Sequence, residues 1–245
     1  MTQFGLIGFP LSHSFSKAYF TEKFQNLGLS NYQYGLYELP DIAGFPELLK
    51  ANPNLAGLNV TIPHKESVMP YLDEIDADAQ AIGAVNVIRI QDGKTKGYNS
   101  DYAGFRNSLL RFLNDSKPSK ALILGTGGAS KAVCRCLLDL GIEYTFVSRT
   151  AAPGQWSYAQ LHTQEIVAQT PLIINSTPLG MYPNVDGCPD LPYAQIGSDH
   201  FLFDLIYNPR ETLFMKKGKE RGAQAIDGLE MLIGQAEKAW EIWQQ

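Results

Sequence analysis

Apolar residues along this chain fall into short runs, and between the runs lie stretches whose apolar positions repeat at helical spacing. Strands and helices taking turns in this way predict an α/β protein built on a largely parallel sheet. In the N-terminal half, runs at 5–9, 32–37 and 55–60 predict strands. Helical spacing predicts a helix over 14–27, with Phe20, Phe24 and Leu27 inward and Gly28 ending it, and a shorter helix over 41–50. Pro63 has no N–H and a preset φ, so it suits the first turn of a helix after the third strand. Residues 84–90 and 94–98 alternate about Asp92-Gly93, a hairpin signal. A helix over 102–114 then leads into the polar stretch 115–119, which reads as a domain boundary.

Further on, runs at 121–124, 142–147, 172–175, 201–204 and 223–226 predict strands. Those at 172–175 and 201–204 are unbroken, as in parallel strands covered on both faces. Ala132, Val133, Cys136, Leu137 and Leu140 share one helix face, with Gly141 as a stop. Leu229, Leu232, Ile233, Ala236, Trp240 and Trp243 predict a C-terminal helix with one apolar face. Asp227 with Glu230 resembles a capping pair at its start. The picture is an N-terminal domain containing a sheet, followed by a doubly wound one.

Composition narrows the function classes. Hydrophobic residues make up 44% of the 245 residues, and no apolar run approaches the roughly eighteen residues that span a membrane. Met1-Thr2-Gln3 leads straight into a strand with no basic segment or cleavage site, so no export signal is expected. A net charge of −5 argues against a nucleic-acid binder. The three cysteines show neither disulfide nor zinc spacing, and the four histidines are scattered, so no metal is expected. A cytoplasmic, reducing environment fits.

The strongest chemical signal lies where strand 121–124 runs into Gly125-Thr126-Gly127-Gly128-Ala129 and then a helix. Glycines let backbone approach a pyrophosphate, and the helix N-terminus offers unpaired N–H groups and the positive end of its dipole. The bland alternative is a tight turn that needs positive φ. Small residues replace the third glycine of the usual fingerprint, but the strand–turn–helix context is right. At the end of the next strand, where NAD sites usually carry Asp or Glu, stand Ser148, Arg149 and Thr150. A guanidinium and two hydroxyls suit a 2′-phosphate, so NADP is favoured over NAD; the alternative is a solvated loop arginine.

Polar residues cluster beside strand ends in the N-terminal half. Ser14 and Ser16 bracket a helix start and could hold a carboxylate, or either could merely cap the helix. Asn59, Thr61 and Lys65 sit on a strand-to-helix turn. A lysine in a first helical turn is electrostatically disfavoured, and positive surroundings with partial burial lower an amine's pKa toward proton transfer. Asn86 interrupts an apolar strand, Asp101 ends the hairpin or caps the next helix, and Gln235 is an amide among apolar helix neighbours. This inventory suits hydride delivery from a reduced nicotinamide to a ketone. Lys65 would be the acid, Asp101 its partner, and the hydroxyl and amide side chains would hold a small polyhydroxylated carboxylic acid.

The segments GFPLSHSFS (8–16), GLNVTIPHK (57–65), GAVN (83–86), GYNSD (97–101), GTGGA (125–129), NSTPLGM (175–181), DLIYNP (204–209) and DGLEMLIGQ (227–235) resemble successive motifs of the shikimate dehydrogenase family. The resemblance implies NADPH-dependent reduction of 3-dehydroshikimate to shikimate, on the route to chorismate and the aromatic amino acids. It implies a substrate domain over 1–101, completed by a C-terminal stretch 226–245 whose helix returns to it, and a Rossmann-type NADP domain over 102–225. By position, Lys65 and Asp101 would be catalytic, and Ser14 and Ser16 would hold the carboxylate. Thr61, Asn86, Tyr207 and Gln235 would bond the ring hydroxyls and neighbouring groups. Gly125 to Ala129 with Arg149 and Thr150 would hold the cofactor phosphates, and Leu205 and Gly228 would lie near the nicotinamide.

Three features depart from the family pattern. Lys17 stands where the family usually has Pro, one arginine serves at 149 without a second basic residue, and 151–170 is short and polar. A quinate or dual quinate/shikimate dehydrogenase using NAD(P), and a ligand-sensing relative without catalysis, are the alternatives. A monomer or homodimer is expected.

Overall fold

The computed structural model describes residues 1–11 and 14–245; Ser12 and His13, within the first family motif, lie outside the described residues. The chain divides into two compact units, Met1–Ser100 with Ala236–Gln245, and Asp101–Gln235.

The first unit is built on a six-stranded sheet in the order β2-β1-β3-β5-β6-β4. Its strands are β1 (Thr2–Gly8), β2 (Tyr32–Glu38), β3 (Leu55–Val60), β4 (Glu74–Ile75), β5 (Val87–Gln91) and β6 (Lys94–Tyr98). Strand β1 pairs in parallel with β2 and β3, and the predicted hairpin β5–β6 is antiparallel. Period-two alternation divides its side chains between two cores. Phe4 and Leu6 pack with Phe20, Phe24, Ala239 and Trp243, whereas Ile7 packs with Phe45, Leu58, Val68 and Ile88. Gly57 is required here: a Cβ would lie 2.3 Å from Trp243 Nε1, which donates to the Ile88 carbonyl at 3.1 Å.

Helix α1 (Phe15–Asn26) follows the first strand as predicted. The stretch expected as one helix over 41–50 is instead a 3-10 turn at Ile42–Gly44 running into α2 (Phe45–Ala51). After α3 (His64–Ser67) comes α4 (Ala77–Ile82), unforeseen because six residues show no period. Its ends were nonetheless written in the sequence, with Asp76 capping and Gly83 in the left-handed conformation at φ +72°.

The second unit holds an all-parallel six-stranded sheet in the order β12-β11-β10-β7-β8-β9. Strand β7 (Lys120–Leu124) lies between β8 (Glu143–Ser148) and β10 (Leu172–Asn175). The chain proceeds outward one way to β9 (Trp156–Ser157) and the other way to β11 (Phe201–Asp204) and β12 (Gln224–Ile226). Both faces are covered. Ile123, Ile174 and Phe203 pack with Phe105, Leu109 and Val133, while Leu122, Ile173 and Leu202 pack with Leu161 and Phe214. The first group belongs to α5 (Asp101–Leu113) and α6 (Gly128–Asp139). The second comes from α7 (Tyr158–Thr163) and α8 (Leu213–Lys219), two short helices unforeseen from the apolar pattern although Ser157 and Gln160 form a capping box.

Helix α9 (Leu229–Trp243) contributes its later turns to the first unit's core, so the expected return of the C-terminal helix is present. Its buried face differs from expectation. Met231, Ala236, Ala239, Ile242 and Trp243 are buried, while Leu232 is half-buried and Ile233 is exposed. Two packing partners account for the change. Early turns lie on α5 at Gly104, and later ones face the aromatic cluster of Phe4 and Phe20. Asp227 accepts from the Leu229 amide at 3.3 Å, while Glu230 faces Arg111 at 3.7 Å. Among the described residues no helix is long and apolar enough to cross a membrane, and no group of three His, Cys, Asp or Glu could hold a metal.

Candidate active site

In the first unit, Ser14 is the N-cap of α1, its Oγ accepting from the Lys17 amide at 3.3 Å. Ser16, half-buried in the first turn, hydrogen-bonds the buried Tyr34 hydroxyl, which donates to Asn59 Oδ1 at 2.7 Å. Burial pushes the Tyr34 phenol well above its ordinary range, so it acts as a neutral donor. Asn59 donates to the Asn86 carbonyl at 3.4 Å. Asn86 Oδ1 accepts from the Ser100 amide at 2.7 Å, and its Nδ2 donates to Ser100 Oγ at 3.0 Å. One polar thread therefore runs Ser16–Tyr34–Asn59–Asn86–Ser100. Tyr34 and Ser100 were not singled out from sequence, because each sits in an unremarkable strand or turn context.

The turn after β3 sets Thr61 and Lys65. The Thr61 amide donates to the Ile7 carbonyl, and its methyl would lie 2.4 Å from a Cβ at Gly8, so only glycine fits there. The adjacent basic residues His64 and Lys65 divide their roles. His64 is buried, its ring nitrogens engaged with the Leu39 carbonyl and the Ser67 hydroxyl. Lys65 stays half-exposed, and its carbonyl accepts from the Val85 amide at 2.7 Å. The imidazole is part of the packing, whereas the lysine stays nearer the surface of the turn.

In the second unit, Asp101 is buried as the first residue of α5, where an acid also complements the helix dipole. Gly125 adopts φ +93°, and a Cβ there would meet Thr177 Cγ2 at 2.8 Å. Gly127 opens α6 without a capping side chain, and a Cβ at Gly127 or Gly128 would find nothing within 4 Å. Open glycine backbone at a twelve-residue helix N-terminus, beside the point where the strand order reverses between β7 and β10, is a fit for a dinucleotide pyrophosphate. Arg149 and Thr150 are exposed after β8; Ser148 donates its hydroxyl proton to the Thr150 carbonyl at 2.7 Å and so shapes that turn. Tyr207 is half-buried, and Gln235 lies on α9 where Gly104 permits close approach of α5. A Cβ at Gly228 would lie 2.2 Å from the Leu205 carbonyl oxygen, so these two backbones form a tight shelf.

Next to that shelf is a buried polar group that escaped sequence reasoning. Asn175 and Asp204 end the apolar strands β10 and β11, and a polar residue closing each run was the available signal. Asp204 Oδ1 accepts from Asn175 Nδ2 at 3.0 Å and from the Ile206 amide at 3.1 Å. Its Oδ2 accepts from Thr212 Oγ1 at 2.6 Å. Burial pushes the Asp204 carboxyl up to about 6, the Asp227 carboxylate adds to the shift, and the three hydrogen bonds oppose it. A raised folded-state value means that this group's stability contribution is full below pH 4 and is lost as pH rises through 6. The stability of wild type relative to Asp204→Asn should therefore increase by about 2–3 kcal/mol between pH 7 and pH 4. Urea denaturation at both pH values checks this, and a constant difference contradicts it.

A glycine turn at the switch point of a doubly wound sheet, together with a second α/β unit bearing a half-exposed lysine in a polar turn, defines a dinucleotide-dependent dehydrogenase. A family profile described as the shikimate dehydrogenase substrate binding domain matches residues 6–88. The shikimate dehydrogenase (NADP(+)) of Methanococcus aeolicus is 40% identical, with 98% of this chain and 90% of that protein covered. The crystal structure of shikimate dehydrogenase 1 from Peptoclostridium difficile is 40% identical with a TM-score of 0.85, covering 100% of this chain and 92% of that one. A shikimate dehydrogenase solved in complex with NADP+ is 36% identical with a TM-score of 0.85, covering 99% and 90%. The chain belongs to the shikimate dehydrogenase family.

Proposed function

We propose that this chain is an NADP-dependent oxidoreductase acting on a CH–OH group, interconverting shikimate and 3-dehydroshikimate in the cytoplasmic route to chorismate. Full-length similarity to NADP(+)-dependent shikimate dehydrogenases carries the reading, because the motif lysine, aspartate and glycine turn are all present. Bound NADPH supplies the hydride. Lys65 would give a proton to the nascent alkoxide oxygen, with Asp101 as the second catalytic residue. Ser14 and Ser16 hold the carboxylate, while Thr61, Asn86, Tyr207 and Gln235 bond the ring hydroxyls. Gly125, Thr126, Gly127, Gly128 and Ala129 receive the pyrophosphate, with Leu205 and Gly228 beside the nicotinamide. Residues 1–101 with 226–245 serve the substrate, residues 102–225 serve the cofactor, and the protein works as a monomer or homodimer.

Steady-state rates with shikimate or quinate, each with NADP+ or NAD+, test this reading. The highest kcat/KM is expected for shikimate with NADP+; a higher value for quinate with NAD+ replaces the reading with a quinate dehydrogenase. Arg149, exposed at the end of β8, is assigned to the 2′-phosphate with Ser148 and Thr150. Arg149→Ala should raise KM for NADP+ by about tenfold or more, as expected for a lost charge-assisted hydrogen bond, and leave KM for NAD+ within twofold. Equal increases for both cofactors would remove the assignment.

A further inference from the structure

Asp204 sits wholly inside the second unit with no cation among its three hydrogen-bond donors. For core packing alone a neutral group would serve, since the raised titration means that the ionised side chain costs stability at neutral pH. What the carboxylate does that an apolar residue cannot is gather three separate backbone segments. Asn175 Oδ1, on the other side of the pair, accepts from the Thr177 amide at 3.1 Å and the Thr177 hydroxyl at 2.7 Å. The turns that leave β10 and β11 are thus tied together at their C-terminal ends, where nucleotides bind in open parallel sheets. The Ile206 amide held by Asp204 belongs to the same residue whose carbonyl accepts from the Gly228 amide at 2.9 Å.

We infer that Asp204 is a positioning residue for the cofactor: by holding Asn175, the Ile206 amide and Thr212 together, it fixes the Leu205 backbone against Gly228. The inference rests on the NADP reading and deepens it. Ionised, the carboxylate accepts from all three donors. Protonated at Oδ2, the carboxyl becomes the donor to Thr212 Oγ1, and the Thr212 hydroxyl proton must turn to another acceptor. That hydroxyl also accepts from the Met215 amide at 3.4 Å, so the start of α8 is drawn into the change. The charged and titratable groups facing this pocket are Asp227, itself paired with Arg210, and Tyr193, whose phenol is raised in part by Asp204.

Calorimetric titration with NADP+ at pH 7.5 and 5.5 tests the inference. Thr212→Val removes a donor and should weaken NADP+ binding about tenfold at pH 7.5, with KM for shikimate within twofold. Thr212→Ser keeps the hydroxyl and should bind as wild type. The 2′-phosphate itself titrates near 6, so the pH comparison is made against Asp204→Asn, which keeps the acceptor for Ile206. Wild type should lose about threefold more affinity at pH 5.5 than this variant loses. Thr212→Val and Asp204→Asn binding like wild type at both pH values would overturn the inference alone. A wild-type protein that binds no NADP+ overturns the cofactor reading and the inference with it.

Discussion

Lys65→Ala is expected to lower kcat by about 10²–10⁴ while KM for shikimate stays within a few-fold, the signature of an interaction made in the transition state. The local structure supports a clean test. The Lys65 carbonyl accepts from the Val85 amide, and the neighbouring buried imidazole of His64 holds the helix to the Leu39 carbonyl. Alanine at 65 keeps both of these contacts. Lys65→Arg separates proton donation from charge. A guanidinium keeps the positive field but does not release a proton at working pH, so it should leave KM for shikimate within a few-fold of wild type without restoring turnover. Rates near wild type in either variant would dismiss Lys65 as the acid.

Most of this architecture was legible because burial wrote it into the chain. The runs at 121–124, 172–175 and 201–204 are apolar on both faces since both faces are covered, and the core partners alternate along each strand as the pleat requires. The helices that went unseen, α4, α7 and α8, span seven residues or fewer, less than two helical turns, and are defined by their caps rather than by a period. The apolar face of α9 was misread for another reason: one helix with two successive packing partners does not keep one stripe. At the site, residues with exceptional chemistry for their position stood out, such as Lys65 in a helix start and Asn86 in an apolar run just before β5. Tyr34, Ser100 and Thr212 did not. Their importance comes from partners distant in sequence, as with Tyr34 and Asn59, 25 positions apart. A pattern read within one segment carries no information about such pairings.

The same alanine substitution at two glycines should separate what the fold needs from what the cofactor needs. At Gly228 a Cβ would lie 2.2 Å from the Leu205 oxygen and 2.6 Å from its carbonyl carbon. Both are backbone atoms, so no rotamer change relieves the clash, and the chain itself must shift. A shift there strains the Gly228 amide bond to Ile206 and the Ile206 amide bond to Asp204. Overpacking of this kind costs about 1–3 kcal/mol, and each weakened hydrogen bond adds about 1 kcal/mol. Gly228→Ala should thus lose about 3–5 kcal/mol in urea denaturation and weaken NADP+ binding about tenfold or more. Gly127 has φ −75° and empty space where its Cβ would stand. Gly127→Ala should leave stability within about 0.5 kcal/mol, since no steric or conformational term opposes it. It should still weaken NADP+, because the methyl occupies the face that backbone N–H groups present to phosphate. If Gly228→Ala proves as stable as wild type, the shelf between residues 205 and 228 is not the rigid element assigned to it. If Gly127→Ala binds NADP+ unchanged, the pyrophosphate does not rest on this turn.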